Sequence, residues 1–399
     1  MPFAGPFRPL RHDRFRALWL AGLVSFLGTW VHNVAARWTA ASLTTSPMVV
    51  AAVDTLQLLP MVLLSIAAGV LADRVDRRRL LVLTHAGLAV VAGTMAVFAW
   101  NSALTLPVLL SLTAGIGLFG AANGPAWQAT VPRQVPDDEV PDAVALMATG
   151  FNLARAVGPA LGAWLLVTVG AGWAFAFNAA SYGLIAGLIA RLPPQAPALS
   201  AVEARLPLAD PRLVRFYVVS LLFGLFAMPS LTLLPLVARD LVGGDAQTYG
   251  LLLSGFGVGA VSAGLLVVAV VRRIGTRAML AATTLTSALG FAILGSAHGL
   301  GLAVAGAAVC GAGWIGTLST VNAGVQMQAA PSMRARALAW YLTFAVGGQA
   351  AGSLLGGAVA SALGLAPALL THAVLLAALS AGAAFGMRRT PAPPPAVNV

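Results

Sequence analysis

The chain is divided almost from end to end into apolar stretches long enough to cross a lipid bilayer. The hydrocarbon layer is about 30 Å thick, so a helix needs roughly 20 apolar residues to cross it. Stretches of that size fall at 16–40, 47–72, 80–100, 105–131, 142–168, 172–191, 213–238, 247–271, 278–297, 301–328, 337–362 and 366–387. Inside hydrocarbon the backbone must satisfy its own hydrogen bonds, which makes each stretch a helix. Only 9% of the 399 residues are charged and the mean hydropathy is +0.88. A soluble domain carries roughly 25% charged residues, so this chain cannot cover a water-facing surface. Its 43 glycines and its alanine runs fit helices that approach one another closely in lipid.

The net charge of +11 comes from arginine without lysine. On its own it would suit nucleic acid, but the placement excludes that partner. The arginines sit in short clusters between apolar stretches, the pattern of cytoplasmic loops. With the N-terminus placed inside, every arginine except Arg37, Arg155 and Arg239 falls on the inner side, from Arg8 and Arg11 to Arg388 and Arg389. Arg239 lies outside, and Arg37 and Arg155 lie within spans. Twelve spans then put both termini in the cytoplasm. The basic segment Met1–Arg16 precedes a first apolar stretch too long for a signal-peptide core, and further spans follow it. The one cysteine, Cys310, excludes a disulfide within the chain and offers no metal site.

The longest loop, 192–212, carries Pro193, Pro194, Pro197, Pro207 and Pro211 and separates two sets of six spans. A shift of 199 residues maps Asn123 onto Asn322, Pro132 onto Pro331, Gly117 onto Gly316, Gly158 onto Gly357, Arg74 onto Arg273 and Arg78 onto Arg277. One offset near half the chain length marks an internal repeat. The expected architecture is all-α, with twelve transmembrane helices in two pseudo-symmetric six-helix bundles at 1–191 and 213–388. A cytoplasmic linker joins them at 192–212, and the Pro-rich tail 389–399 is disordered.

The loop after the second span reads Gly69-Val70-Leu71-Ala72-Asp73-Arg74-Val75-Asp76-Arg77-Arg78-Arg79. It resembles the loop signature of the major facilitator superfamily, G-x-L-A-D-R-x-G-R-R, and stands at the same place between spans two and three. Arg272-Arg273-Ile274-Gly275-Thr276-Arg277 is a decayed copy in the second half. Asp76 stands where the general signature has Gly. The D-R-x-D-R-R form is similar to the branch of enterobactin exporters and macrolide-efflux proteins. So are Leu27-Gly28-Thr29-Trp30, Asn123-Gly124-Pro125-Ala126 and Phe151-Asn152-Leu153-Ala154-Arg155. The resemblance covers 14–388. It implies a monomeric transporter that alternates access around a central cavity walled by spans one, four, seven and ten. It also implies a cytoplasmic gate at Gly69, Asp73, Arg74 and Arg78. Gly158-Pro159-Ala160-Leu161-Gly162 resembles the antiporter signature G-P-x-x-G-G, with Ala163 in place of the last Gly. Its small face and Pro bend would pack against a helix of the other half.

Ionisable groups inside spans are functional candidates by default. Asp54 is the one carboxylate well inside a span, and Arg37 lies at similar depth across the turn near Ser42–Pro47, so the two can pair. Either Asp54 exchanges a proton and Arg37 as the carrier moves, or the pair is a fixed part of the outer gate. His32, one to two turns away, is a proton relay or a packing residue. Arg155, near the middle of span five, either attracts an acidic substrate or has a structural partner. Trp30, Asn33, Asn123, Trp127, Gln128, Asn322 and Gln326 are candidates for the cavity wall, where amides and aromatics with few charges suit a bulky amphipathic ligand; the other reading ties helix to helix. Met228, Pro229, Thr232 and Pro235 make span seven a candidate bending gate.

No phosphate-binding loop, metal cluster or catalytic triad spacing is present, so no cofactor or metal is expected and the energy comes from an ion gradient or downhill flow. The combined expectation is a proton-coupled exporter of drugs or siderophore-like metabolites in a bacterial inner membrane. Its partners are a small-molecule substrate, protons and the lipid bilayer. A lysolipid or metabolite carrier working in either direction, and a membrane sensor on the same fold, are the alternatives. An enzyme would need a catalytic cluster at one membrane face, and none is seen.

Overall fold

A computed structural model of the chain describes residues 5–193, 210–330 and 333–386. The described residues are almost wholly helical. The spans are α1 Asp13–Leu43, α2 Pro47–Arg74, α3 Arg77–Trp100, α4 Leu106–Thr130, α5 Val140–Val169 and α6 Ala171–Ala190, followed by α7 Pro211–Leu241. The run Ala246–Gly295 holds α8 (246–274) and α9 (276–295), and α10 Leu300–Gln328, α11 Arg334–Leu363 and α12 Leu365–Gly386 complete the set. Among the described residues eleven helices are long and apolar enough to span a membrane, and the bent α5, counted as one span, makes the twelfth. The expected linker lies largely outside the described residues, and the expected tail lies wholly outside them.

Local chemistry sets the helix ends. Asp76, the departure from the family signature, caps α3 by accepting from the Arg78 amide at 2.9 Å. Asp245 caps α8 by accepting from the amides of Gln247 and Thr248. Six loop residues were expected between spans eight and nine. The helix instead continues through most of them and breaks at Gly275, whose φ of +81° suits glycine. At α5 the segments 137–155 and 157–169 meet at 43°. Pro159 accounts for this bend: it has no amide for the Arg155 carbonyl and its ring crowds that carbonyl. α7 is broken near Pro229 and Pro235 and ends in a π-helical turn, Val237–Leu241.

The hydrophobic cores show how the bundles meet. One core joins both bundles in the half away from the termini, from Val31, Val34 and Leu109 to Phe223, Leu252 and Phe291. Towards the termini there are two separate cores. One, including Phe15, Leu81 and Ile189, lies wholly in the first bundle. The other, including Phe216, Leu280 and Tyr341, lies wholly in the second. The bundles are therefore fused at the far end and individually packed at the end that carries the termini.

A short 3-10 turn, Gly5–Arg11, docks beside the start of α5. Buried Glu139 takes the Arg11 guanidinium, stands 3.0 Å from the His12 ring and 3.4 Å from Arg8. Arg8 also reaches Asp138 at 3.6 Å.

Candidate functional site

The strongest polar site is in the shared core. Arg37 on α1 and Asp54 on α2 are both buried and form the pair anticipated from their depth. Arg37 Nε donates to Oδ1 and Oδ2 of Asp54 at 2.9 and 3.1 Å, and its Nη2 stands 2.9 Å from Oδ1. The two residues follow one helical hairpin, so equal distance from the turn gives equal depth.

The pair does not end within its own bundle. Thr232 on α7 donates to Asp54 Oδ2 at 2.6 Å, and its oxygen stands 3.1 Å from that of Ser353 on α11. Ser353 donates in turn to the Ala51 carbonyl on α2 at 2.9 Å. Thr232 and Ser353 are buried, and Tyr249 on α8 lies close enough to Arg37 and Asp54 to interact electrostatically with both. Trp38 stacks on Tyr249 with centroids 5.6 Å apart and planes at 15°. Five helices from both bundles thus converge on one carboxylate. Sequence reasoning placed Thr232 on a bending span and missed Ser353, because hydroxyls are ordinary residues in membrane helices and nothing local shows that these face a carboxylate.

Small-residue packing closes the same end. A Cβ at Gly357 would stand 2.5 Å from Ala51 Cβ, and one at Gly250 would stand 3.1 Å from Ala163 Cβ. Thr55 donates to the Ala350 carbonyl at 3.2 Å, and the Met48 amide donates to Ser361 at 3.2 Å. Arg239 at the end of α7 binds Asp240 and donates to the Ala41 and Thr44 carbonyls at the end of α1.

The remaining candidates separate into groups. His32 is buried, meets Phe175 edge-on at 5.0 Å, and its ring nitrogens have no hydrogen-bond partner among the described residues. It is not bonded to Arg37 or Asp54. Asn33 Oδ1 is likewise buried without such a partner. Asn123 and Trp127 correct the cavity-wall expectation. Asn123 donates to Thr84 at 3.0 Å and lies 2.8 Å from His85 Nδ1, tying α4 to α3. Trp127 is buried against Gly22 and 5.7 Å from the His85 ring. Both face the interior of the first bundle. Gln128 is exposed. Gln326, also exposed, donates to Asn322 one turn earlier at 2.5 Å.

The antiporter-like motif also packs differently from expectation. A Cβ at Gly158 would stand 2.5 Å from Trp30 Cβ, and one at Gly162 would stand 3.0 Å from Val31 Cα. These glycines seat α5 on α1 of the same bundle, while α5 meets the other half at α8, where Ala163 lies against Gly250. Gly69, Asp73 and Arg74 fall at the end of α2, and their side chains lie outside the described residues. Arg78 binds the Ala190 carbonyl at the end of α6. Arg155 sits at the bend of α5 with its guanidinium 4.8 Å from the centre of the Phe151 ring.

Comparison with known proteins gives three results. Residues 4–393 match the family described as transmembrane secretion effector. The staphyloferrin A transporter of Staphylococcus aureus is 24% identical over 260 residues, 63% of this chain and 66% of that protein. An uncharacterized MFS-type transporter of Bacillus subtilis, YfiS, is 30% identical over 173 residues, 43% of this chain and 40% of that protein. The matches thus span just under two thirds and two fifths of these relatives' lengths. Among solved structures, a mutant of the nucleoside transporter NupG is similar with TM-score 0.74 and 14% identity, over 93% of this chain and 99% of that one. A bacterial homolog of the human lysosomal transporter Spinster, inward-facing and occupied, has TM-score 0.75 and 16% identity, over 96% and 100% of the two chains.

Proposed function

From its membership of the transmembrane secretion effector family of major facilitator transporters, we propose that this chain, a secondary transporter and not an enzyme, is a proton-coupled exporter of amphipathic small molecules. The supporting observation is the buried Asp54 carboxylate, which binds Arg37 in its own bundle and Thr232 in the other. An ionised Asp54 holds the two bundles together at the far end. A proton on Asp54 would remove the charge that attracts Arg37 and weaken the acceptor for Thr232.

An exchanger must not cycle empty. In this reading the ionised latch locks the empty carrier with its far end shut. Substrate binding energy opens it outward, the substrate leaves, Asp54 takes a proton from outside, and the protonated, unlatched carrier returns with it. Release of the proton inside restores the lock. His32 is the candidate relay, being buried near the latch helix without another hydrogen-bond role among the described residues. Asp73, Arg74 and Arg78 keep the role of a cytoplasmic gate by resemblance, and the halves 1–191 and 213–388 are the two rocking units. The arginine distribution supports cytoplasmic termini in a bacterial inner membrane, and in that orientation the fused end of the bundles is the outer one. The relative named for staphyloferrin A supports a small metabolite, alongside drugs, as cargo. The carrier works as a monomer, the usual state of this superfamily.

The test is accumulation of dyes, antibiotics and catecholate siderophores in an efflux-deficient bacterium expressing the chain, with and without an uncoupler, beside Asp54→Asn. Export predicts lower accumulation that is lost with the uncoupler and in the variant. Unchanged accumulation across the panel, with the protein confirmed in the membrane, overturns it. Lower accumulation that survives the uncoupler overturns proton coupling alone.

A further inference from the structure

Three arginines lie away from the basic loops, and two of them are paired with a carboxylate. Arg37 has the Asp54 carboxylate, and Arg239 has Asp240 and two carbonyls. Arg155 differs. No carboxylate or hydrogen-bond acceptor is bound to its guanidinium among the described residues; its neighbours are the Phe151 ring at 4.8 Å and the Tyr341 side chain of the other bundle. A guanidinium does not lose its charge, so mid-membrane it demands an anion or water. Its five N–H donors form a planar fork that matches a carboxylate.

The surroundings supply the rest of a subsite. Phe151 lies one turn before Arg155 on α5 and meets Phe26 of α1 edge-on, with centroids 5.3 Å apart and planes at 89°. Phe151 is 40% exposed, so protein leaves part of the residue that carries the cation uncovered. Along α5, Ala143 and Leu146 belong to the separate core near the termini and Ala163 and Leu166 to the shared core. Arg155 therefore stands where the fused half of the molecule ends and the individually packed halves begin, facing Tyr341 from across the bundles. A molecule entering from the termini-bearing end meets this cation before it meets the latch.

We propose that Arg155 and Phe151 form an anion subsite, and that the transported molecule is an organic carboxylate on an aromatic or apolar body, its acid on the guanidinium fork and its body along the Phe151 ring. This rests on the transport reading for its biological meaning and on the Arg155 geometry for its chemistry.

The full chain in lipid nanodiscs is titrated calorimetrically with 1-naphthoate and its neutral match, 1-naphthamide. The wild type should bind the acid at least tenfold tighter than the amide. Arg155→Gln should remove that preference by weakening the acid alone, Arg155→Lys should keep part of it, and Phe151→Leu should weaken acid and amide alike. Melting temperatures of the ligand-free variants show whether each is folded; if Arg155→Gln is not, Arg155→Lys and Phe151→Leu carry the test. Equal binding of acid and amide by the wild type overturns the proposal, as does Arg155→Gln weakening both equally. No ion gradient enters this measurement, so it is independent of the accumulation test. A chain that binds the acid through Arg155 but extrudes nothing keeps the subsite and loses the export reading. A chain that extrudes organic carboxylates equally well with Arg155→Gln loses the subsite and keeps export.

Discussion

Replacing Thr232 by Val removes one hydroxyl from the latch and leaves the shape of the side chain and the Arg37–Asp54 pair in place. What is lost is the 2.6 Å donation from α7 to Asp54, the direct hydrogen bond between that carboxylate and the second bundle. A hydrogen bond to a charged group contributes about 1.5–3 kcal/mol, whereas measured interhelical bonds in membrane proteins average about 0.6 and reach about 1.7 kcal/mol. The ranges overlap near 1.5 kcal/mol, because the acceptor is an ionised carboxylate and both partners are buried. The bond exists only while the far end is shut, so its loss should lower the ratio of shut to open by about tenfold. The measurement is double electron–electron resonance between spin labels at Thr45 and Gln247, one on each bundle at the far end. The background is Cys310→Ala, since Cys310 is the one native thiol. Wild type should give mainly the shorter distance, and Thr232→Val should transfer a large share to a longer one. Thr232→Ser should behave as wild type. If Thr232→Val keeps the wild-type distribution within twofold while Asp54→Asn shifts it, the cross-bundle bond does not set the balance and the latch belongs to the first bundle alone.

Three further outcomes test the packing assignments. Asn123→Ala should lower thermal stability, with about 1–2 kcal/mol lost as the bond to Thr84 and the contact with His85 disappear, while substrate affinity in a binding titration stays at the wild-type level. A fall in affinity with unchanged stability would return Asn123 to the cavity wall. Gly158→Leu should destabilise by about 1–3 kcal/mol in thermal unfolding, because even its Cβ would stand 2.5 Å from that of Trp30; a melting temperature equal to wild type would contradict the seating of α5 on α1. Glu139→Gln should speed tryptic cleavage after Arg11 severalfold without unfolding the bundles, since the carboxylate that Arg8, Arg11 and His12 share becomes neutral. An unchanged cleavage rate would show that the N-terminal turn is held by something else.

The spans and the Arg37–Asp54 pair were legible in the sequence because each follows from a one-dimensional rule. Bilayer thickness fixes the length of an apolar run, and the turn of a hairpin fixes which residues share a depth. The partners of that pair were not legible for the opposite reason. Thr232 and Ser353 are 178 and 299 positions from Asp54, and their approach depends on how two bundles meet. Asn123 and Trp127 show a second limit. An amide and an aromatic on a span suit a cavity and a bundle interior equally well, and the rotation of α4 about its axis decides between them. The same holds for Gly158 and Gly162: their size announces a close neighbour without saying which helix it is. Asp76 is a simpler case, in which a departure from a family signature acquires a local reason as the cap of α3.

Two kinds of contact close the far end, and they differ in what their loss costs. Gly357 against Ala51 and Gly250 against Ala163 are small-residue contacts. Lipid tails are as apolar as the helix they would replace, so breaking such contacts in a bilayer exchanges one dispersion partner for another and costs little per residue. The Arg37–Asp54–Thr232 set has no such substitute, because hydrocarbon offers an ionised carboxylate neither charge nor donor. Packing therefore fixes the geometry of closure, while the latch contributes the part of its free energy that depends on charge. In the proposed cycle that is the part a proton on Asp54 would remove. A carrier whose closure rested on packing alone would open and close without regard to pH; in the proposed cycle, closure that converges on Asp54 would tie the switching equilibrium to a proton at that residue.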